Sequence, residues 1–482
     1  MGYIALFFIT RYVGTTYWGY LSYALAFGAL FSLISDLGFN TTYIKFISGE
    51  GDKSEEMGAY LVIKLALTLI YAVLVLGSLF FWIYVLKRGF QNPIEFWTII
   101  AIIPYYSILS LMPVFNSHFK ATMQSYNIAV PRLIESIFRN SIFIFIGVLY
   151  FLNKEGTIGA NITVILALLY SLSYLIYIIL LWVLGRPWNF RKPHFATIKK
   201  YVKFAMPLAF ATSIGIVNGN IDKIIVQFYW GAVATGALYT DQKLISVLGT
   251  LTGPVSIFLL PMLMKNLKDT KEIQDTKIME YERILSLIAA PIAMTTFFLS
   301  PYILNIYNGR YLMYSASLSI ISIGGYLGAL TIPFTSSIIS KGHQRLVAWI
   351  SLNGILLNIA LNVLLIPKSI LGIRLGALGV EGATISFTVA NFLIYILYKE
   401  YFRKINGTRT RSTALRHILI AFPSGVLFLI SSVYIKPYSF IILFPTILAG
   451  LLIYLIMSLW LKEITWDQIK TILRNSIPRK DW

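Results

Sequence analysis

The chain has 482 residues, of which 57% are hydrophobic and 12% charged, and its mean hydropathy is positive. Apolar runs of about twenty residues recur along its whole length, which excludes a soluble globular protein and predicts a polytopic membrane protein. The net charge of +20 suggests a nucleic-acid partner until its distribution is read: 29 of the 40 Lys and Arg fall in or beside alternate connections and 8 lie on the opposite side. That is a positive-inside bias, with both termini cytoplasmic and no nucleic acid among the partners.

Fourteen helices are expected, near residues 1–13, 18–38, 59–86, 96–119, 131–151, 160–184, 204–229, 236–264, 284–306, 314–340, 347–367, 376–398, 415–435 and 439–461. The first is short, since 13 residues rise roughly 20 Å against a hydrocarbon core of about 30 Å. It is read as a shortened helix or a truncated start; with no basic n-region and no small-residue cleavage site it does not read as a signal peptide. The second ends in Ser35-Asp36-Leu37-Gly38, and a charged turn from Gly49 to Glu56 follows. Lys64 near the cytoplasmic end of the third helix is expected to snorkel to the interface. Pro104 and Pro113 in the fourth helix, and Pro254 and Pro261 in the eighth, are expected kinks. Arg132, Glu135 and Arg139 share one face of the fifth helix, either as an interfacial salt bridge with one Arg left over or as a cationic face for an anion.

The basic connection from Arg186 to Lys203, with two prolines, reads as the boundary between halves and as an anchor to acidic lipid headgroups. Beyond it, the stretch Ile214 to Lys243 puts Asn218, Asn220, Asp222 and Lys223 inside an apolar helix, where such groups are costly unless they face a partner or water. The same stretch carries a repeat: Gly231-x4-Gly236 echoes Gly14-x4-Gly19, and Gly379-x2-Gly382-Ala383 echoes Gly156-x2-Gly159-Ala160. The fold expected is therefore an all-α integral membrane protein of two pseudo-symmetric six-helix bundles, residues 1–190 and 191–400. Two additional helices and a cytoplasmic tail fill 401–482. Six crossings per half relate the halves by an axis along the membrane normal.

No cysteine is present, so there is no disulfide framework or thiolate metal site. His118, His194, His343 and His417 fall in or beside predicted loops and read as solvated; no metal and no cofactor is expected. The outer connections are short and carry no paired carboxylates, so no catalytic constellation is found.

The first half carries Arg11-Tyr12-Val13-Gly14, Tyr17-Trp18-Gly19-Tyr20 and Ser35-Asp36-Leu37-Gly38, and the second Asp222-Lys223-Ile224-Ile225, Gly231, Gly236-Ala237-Leu238-Tyr239 and Pro261. A last run joins Lys341-Gly342, Asn358, Leu361-Asn362, Leu365-Ile366-Pro367, Gly376 and Gly379-Val380-Glu381-Gly382-Ala383. In their order and spacing these stretches resemble the polysaccharide-unit flippases of the multidrug/oligosaccharidyl-lipid/polysaccharide exporter superfamily. The resemblance implies alternating access by a twelve-helix core with two extra helices, moving a polyprenyl-diphosphate-linked oligosaccharide between leaflets. The short first helix departs from the pattern.

Such a headgroup needs a wet cavity with cations, while its tail stays in the bilayer. The substrate-binding candidates are Arg11, Lys64, Arg139, Lys223, Lys243, Asn358 and Asn362; Asn358 and Asn362 share a helical face and also read as packing contacts. Asp36, Asp222, Asp241 and Glu381 are the candidates for coupling or gating. Membrane lipids, a coupling H+ or Na+ and glycan-assembly enzymes complete the expected partners. Three rivals stay open: a cation-coupled drug antiporter using Asp222, a membrane glycosyltransferase or polymerase, and a purely structural scaffold.

Overall fold

A computed structural model describes residues 1–48, 52–85, 87, 90, 92–152, 161–186, 188–265, 271–370, 372–406, 413–434 and 440–463. These residues are almost all helical. The helices are α1 (Gly2–Phe8), α2 (Thr15–Ser32), α3 (Phe39–Ile47), α4 (Lys53–Phe80), α5 (Pro93–Leu111), α6 (Pro113–Ala121), α7 (Tyr126–Leu152), α8 (Ile162–Leu184), α9 (Phe195–Asn218) and α10 (Ile221–Trp230). They continue as α11 (Ala232–Lys265), α12 (Lys271–Phe298), α13 (Ser300–Tyr307), α14 (Ser315–Leu330), α15 (Ile332–Ser340), α16 (Gln344–Leu365), α17 (Gly379–Asn406), α18 (Thr413–Tyr434) and α19 (Phe440–Trp460). Among the described residues ten helical spans are long and apolar enough to cross a membrane, and eleven if the pair Thr276–Phe298 and Ser300–Tyr307, bent by 72°, is one span. The first helix is short, as its sequence predicts: Gly2–Phe8 continues only through a π turn to Val13.

The pattern of α4 shows why these helices suit a membrane. Leu65, Leu69, Val73, Leu76 and Phe80 recur at helical spacing and are exposed, whereas Tyr60, Lys64, Leu67, Tyr71, Val75 and Leu79 form the opposite, buried stripe. The polar groups are on the inward face, the reverse of a soluble helix.

The chain groups into two compact units, residues 1–240 with 355–386, and residues 241–354 with 387–482. In the first, Tyr43 and Tyr60 stack with centroids 4.2 Å apart, in a core that also buries Phe119, Leu181 and Tyr201. The acidic start of α4 is strapped to the end of the connection before α9 and to the first turns of that helix. Arg191 meets Asp52 at 3.1 Å, the His194 ring and the Thr197 hydroxyl meet Glu55 at 3.0 and 2.5 Å, and Lys200 meets Glu56 at 2.9 Å. The backbone N–H of Arg191 adds a bond to the Ser54 carbonyl. In the second unit α12 packs on α14 and α18, and α18 on α19; Tyr302 donates to the Ser431 carbonyl at 2.8 Å and Ser424 to the Gly450 carbonyl at 2.7 Å.

Several expected elements are subdivided. The fourth helix runs unbroken through Pro104 and stops at Met112, so Pro113 opens a new helix, where its missing N–H costs nothing. The seventh breaks at Gly219-Asn220, and the ninth begins at Lys271 rather than 284. Pro254 and Pro261 fall within α11 where side chains are outside the described set, and Gly156 to Ala160 is outside it altogether. Gly14 (φ +121°) and Gly231 (φ +82°) each occupy a backbone region unfavourable to other residues, one step before a helix begins.

Candidate functional site

The break between α9 and α10 builds a polar centre. A helix end leaves carbonyls without partners, and here Lys223 Nζ donates to the Gly219 carbonyl while Asn220 Nδ2 donates to that of Ile216 at 2.9 Å. Adjacent residues on a helix point about 100° apart. Asp222 nevertheless reaches Lys223, by turning back on the helix start: Oδ1 accepts from the Lys223 backbone N–H at 2.8 Å and lies 3.5 Å from its ammonium. Both side chains are buried. The ammonium also lies 5.9 Å from the centroid of the Tyr239 ring.

A second cation approaches the same tyrosine patch. Arg139 Nε donates to Glu135 at 2.6 Å, one turn back on α7, and its guanidinium lies 5.1 Å from the Tyr170 centroid. Tyr239 is within electrostatic range of both Tyr170 and Arg139. Trp18 packs edge-on against Tyr239 at 5.5 Å. Arg132, the third member of the predicted face, is exposed.

Lys64 does not snorkel. Its ammonium is buried, donates to the Ser35 carbonyl at 2.6 Å and lies 3.8 Å from Asp36. That carbonyl is available because the chain unwinds after Ser35, with Leu37 and Gly38 both at positive φ. Asn40 and Ser110 join them around a cavity of about 140 Å³. Since Asp36 keeps 30% exposure, removing its partner leaves a carboxylate that still reaches solvent. Lys64→Met should therefore cost about 1.5–3 kcal/mol, the scale of one hydrogen bond from a charged group. A lowered thermal midpoint of the reconstituted protein checks this; an unchanged one shows that the bond contributes nothing.

The remaining candidates are dispersed. Arg11 and Lys243 are exposed, and Glu381 is half-buried in the first turn of α17. Asp241 is buried and accepts from Ser317. Asn358 Nδ2 donates to Asn218 Oδ1 at 2.8 Å, joining α16 to α9, and Trp230 Nε1 donates to the Ile366 carbonyl at 2.8 Å. Asn362 is fully buried, and neither end of its amide has a hydrogen-bond partner among the described residues. No group of three His, Cys, Asp or Glu among the described residues has metal-binding geometry.

Three buried acidic centres have no counterpart in the sequence reading. Glu95 accepts from Gln227 at 3.1 Å, joining α5 to α10. Glu282 accepts from Tyr395 at 2.8 Å with Lys399 at 3.5 Å, joining α12 to α17. His417, expected to be solvated, is fully buried 3.6 Å from Glu463, which also meets Arg416 at 2.5 Å. Glu95 and Glu282 each fall one or two positions before an expected helix start, at 96 and 284, and so lie outside the expected spans. Longer helices would have brought both inside, and the spacing of Tyr395 and Lys399, one turn apart, was the available signal for a buried partner.

The family described as "Polysaccharide biosynthesis protein" matches residues 1–267. The capsular polysaccharide biosynthesis protein CapF of Staphylococcus aureus is 25% identical over 229 residues, 46% of this chain and 56% of that protein. The match thus takes in little more than half of that relative's length. Among solved structures, the lipid II flippase MurJ in an inward closed conformation gives a TM-score of 0.74 at 16% identity, over 95% of this chain and 96% of that one. An inward-facing multidrug resistance transporter of the MATE family gives 0.66 at 11% identity, over 84% and 94%. At such identities the two structures speak for a shared fold of multi-pass membrane transporters. With more than half its length matched, the chain belongs to the polysaccharide biosynthesis protein family.

Proposed function

We propose that the protein moves a polyprenyl-diphosphate-linked oligosaccharide across the membrane by alternating access, for surface polysaccharide or glycan assembly. The observation that carries this reading is the approach of two cations, the half-buried Arg139 and the buried Lys223, to one patch of tyrosines within a single unit. A diphosphate takes charge-assisted hydrogen bonds from such groups, and the tyrosine hydroxyls supply further donors. The relative named for capsular polysaccharide and the neighbour named as a lipid II flippase are consistent with a lipid-linked sugar as cargo.

The same reading has fourteen crossings arranged as halves 1–190 and 191–400 with an appendix 401–482, related by an axis along the membrane normal, and both termini cytoplasmic. Asp36, Asp222, Asp241 and Glu381 are the acids available to couple transport to H+ or Na+. Glycan-assembly enzymes supply and consume the cargo. In proteoliposomes, a fluorescent lipid-linked oligosaccharide should become accessible to a membrane-impermeant quencher only when the protein is present. Equal accessibility with and without protein overturns the proposal.

Asp222→Asn separates this reading from a cation-coupled drug antiporter of the same fold. Asparagine keeps an oxygen for the Lys223 backbone N–H, and the Lys223 ammonium keeps its bond to the Gly219 carbonyl, so flipping should slow without stopping. If the substitution instead eliminates coupled efflux of a cationic dye while oligosaccharide flipping is never seen, the antiporter is the better account.

A further inference from the structure

The first unit contains a cavity of about 660 Å³ between α2, the end of α4, the start of α5 and α10, within the size range of ligand sites. Eight of its fourteen lining residues are aromatic, among them Tyr23, Phe27, Trp82 and Phe228, and Glu95 and Gln227 are its charged and amide members. Among the described residues no lysine or arginine lines it, so these walls are unsuited to a diphosphate. An isoprenoid chain fits the rings but not the polar wall. Gln227 is 3% exposed; its Nε2 is committed to Glu95, and its Oε1 has no hydrogen-bond partner among the described residues. A buried acceptor of that kind calls for a donor on whatever enters.

A sugar answers both demands. Its hydroxyls donate to carboxylate and carboxamide oxygens, and the C–H groups on its flat face, polarised by neighbouring oxygens, direct positive edges at the negative faces of aromatic rings. Lys223 lies one helical turn before Gln227 on the same face of α10, next to the tyrosine patch. We infer that this aromatic cavity is the saccharide subsite of the transporter, holding one or more sugar rings against Trp82 and Phe228 with their hydroxyls on Gln227 and Glu95, beside the cationic centre that takes the diphosphate. The inference rests on the function proposed above and assigns the sugar a place of its own.

The test uses the full protein in lipid nanodiscs free of sugar detergents, with three separate probes: a panel of diacetylchitobiose, cellobiose and maltose; farnesyl diphosphate, which lacks a sugar; and tetraphenylphosphonium, a lipophilic cation. Saturation-transfer NMR, irradiating the aromatic protons, should show transfer to ring C–H protons of at least one disaccharide at tens of millimolar. Gln227→Leu and, independently, Trp82→Ala should each reduce that signal at least tenfold while leaving farnesyl diphosphate binding intact, which also establishes that the variants are folded. No transfer to any disaccharide, or transfer indifferent to both substitutions, overturns the inference, as does Glu95-dependent binding of tetraphenylphosphonium in place of the sugars. Failure of farnesyl diphosphate to bind the unaltered protein bears on the proposed function instead, because that probe reports the cationic centre alone.

Discussion

Neutralising the two ion pairs beside the tyrosine patch, Glu135→Gln with Arg139→Gln and Asp222→Asn with Lys223→Met, should abolish flipping while the protein remains folded in the membrane. The substitutions are made as pairs because removing one member of a buried ion pair strands the other, at a cost of about 3–5 kcal/mol, whereas replacing both is often neutral. A loss of transport then reports loss of charge at the site and not loss of structure. On the proposed function, each charge-assisted hydrogen bond to a diphosphate would contribute about 1.5–3 kcal/mol, so losing two should weaken headgroup capture by a factor of roughly a hundred or more. Asp222→Asn alone is expected only to slow flipping, so the collapse requires the cations. Lys223→Arg should retain part of the rate, since the charge survives while its geometry changes. Initial rates of quencher accessibility in proteoliposomes measure all of this, and a quadruple variant that flips at the unaltered rate removes the cationic centre from the mechanism.

The second large effect is structural. Gly19 lies where α2 passes the start of α11, and a Cβ there would sit 1.9 Å from the carbonyl oxygen of Ala232. Because the obstruction is backbone, no side-chain rotation relieves it, and the helices must separate. Overpacking of this kind costs about 1–3 kcal/mol and sometimes more, against a total stability on the order of 5–15 kcal/mol. Gly19→Ala should sharply reduce the thermal midpoint, and Gly19→Val should leave little folded protein. Gly77→Ala is the control: no atom outside the local helix lies within 4 Å of its added Cβ, so the change should be neutral or slightly stabilising through helix propensity. A Gly19→Ala protein that melts with the unaltered one refutes the close crossing.

Composition and periodicity made the helical membrane fold legible, and α4 shows why: its two stripes have the same spacing in sequence and in space. The Gly14 and Gly231 landmarks were legible because a positive φ restricts residue choice. Lys64 was misread because its acceptor is a backbone carbonyl, a group present at every position and hence invisible to residue type. The Lys64-to-Ser35 contact exists only because the helix unwinds at Leu37-Gly38. Asp222 and Lys223 were recognised as a polar centre, but helical geometry argued against their meeting; the break at Gly219-Asn220 suspends that geometry by making Asp222 an N-terminal residue. Gln227 carried no signal at all, since one amide in an apolar helix commonly mediates packing.

The strap between Arg191 to Lys200 and the start of α4 has a mechanical consequence. A connection with slack lets the segments on either side move independently and transmits no force until it is taut. Here four side-chain contacts and a backbone bond, spread over ten residues, remove the slack. A displacement of the first turns of α9 is therefore delivered directly to the end of α4, and along that helix to Lys64, about three turns further on. The connection works as a lever arm rather than a tether.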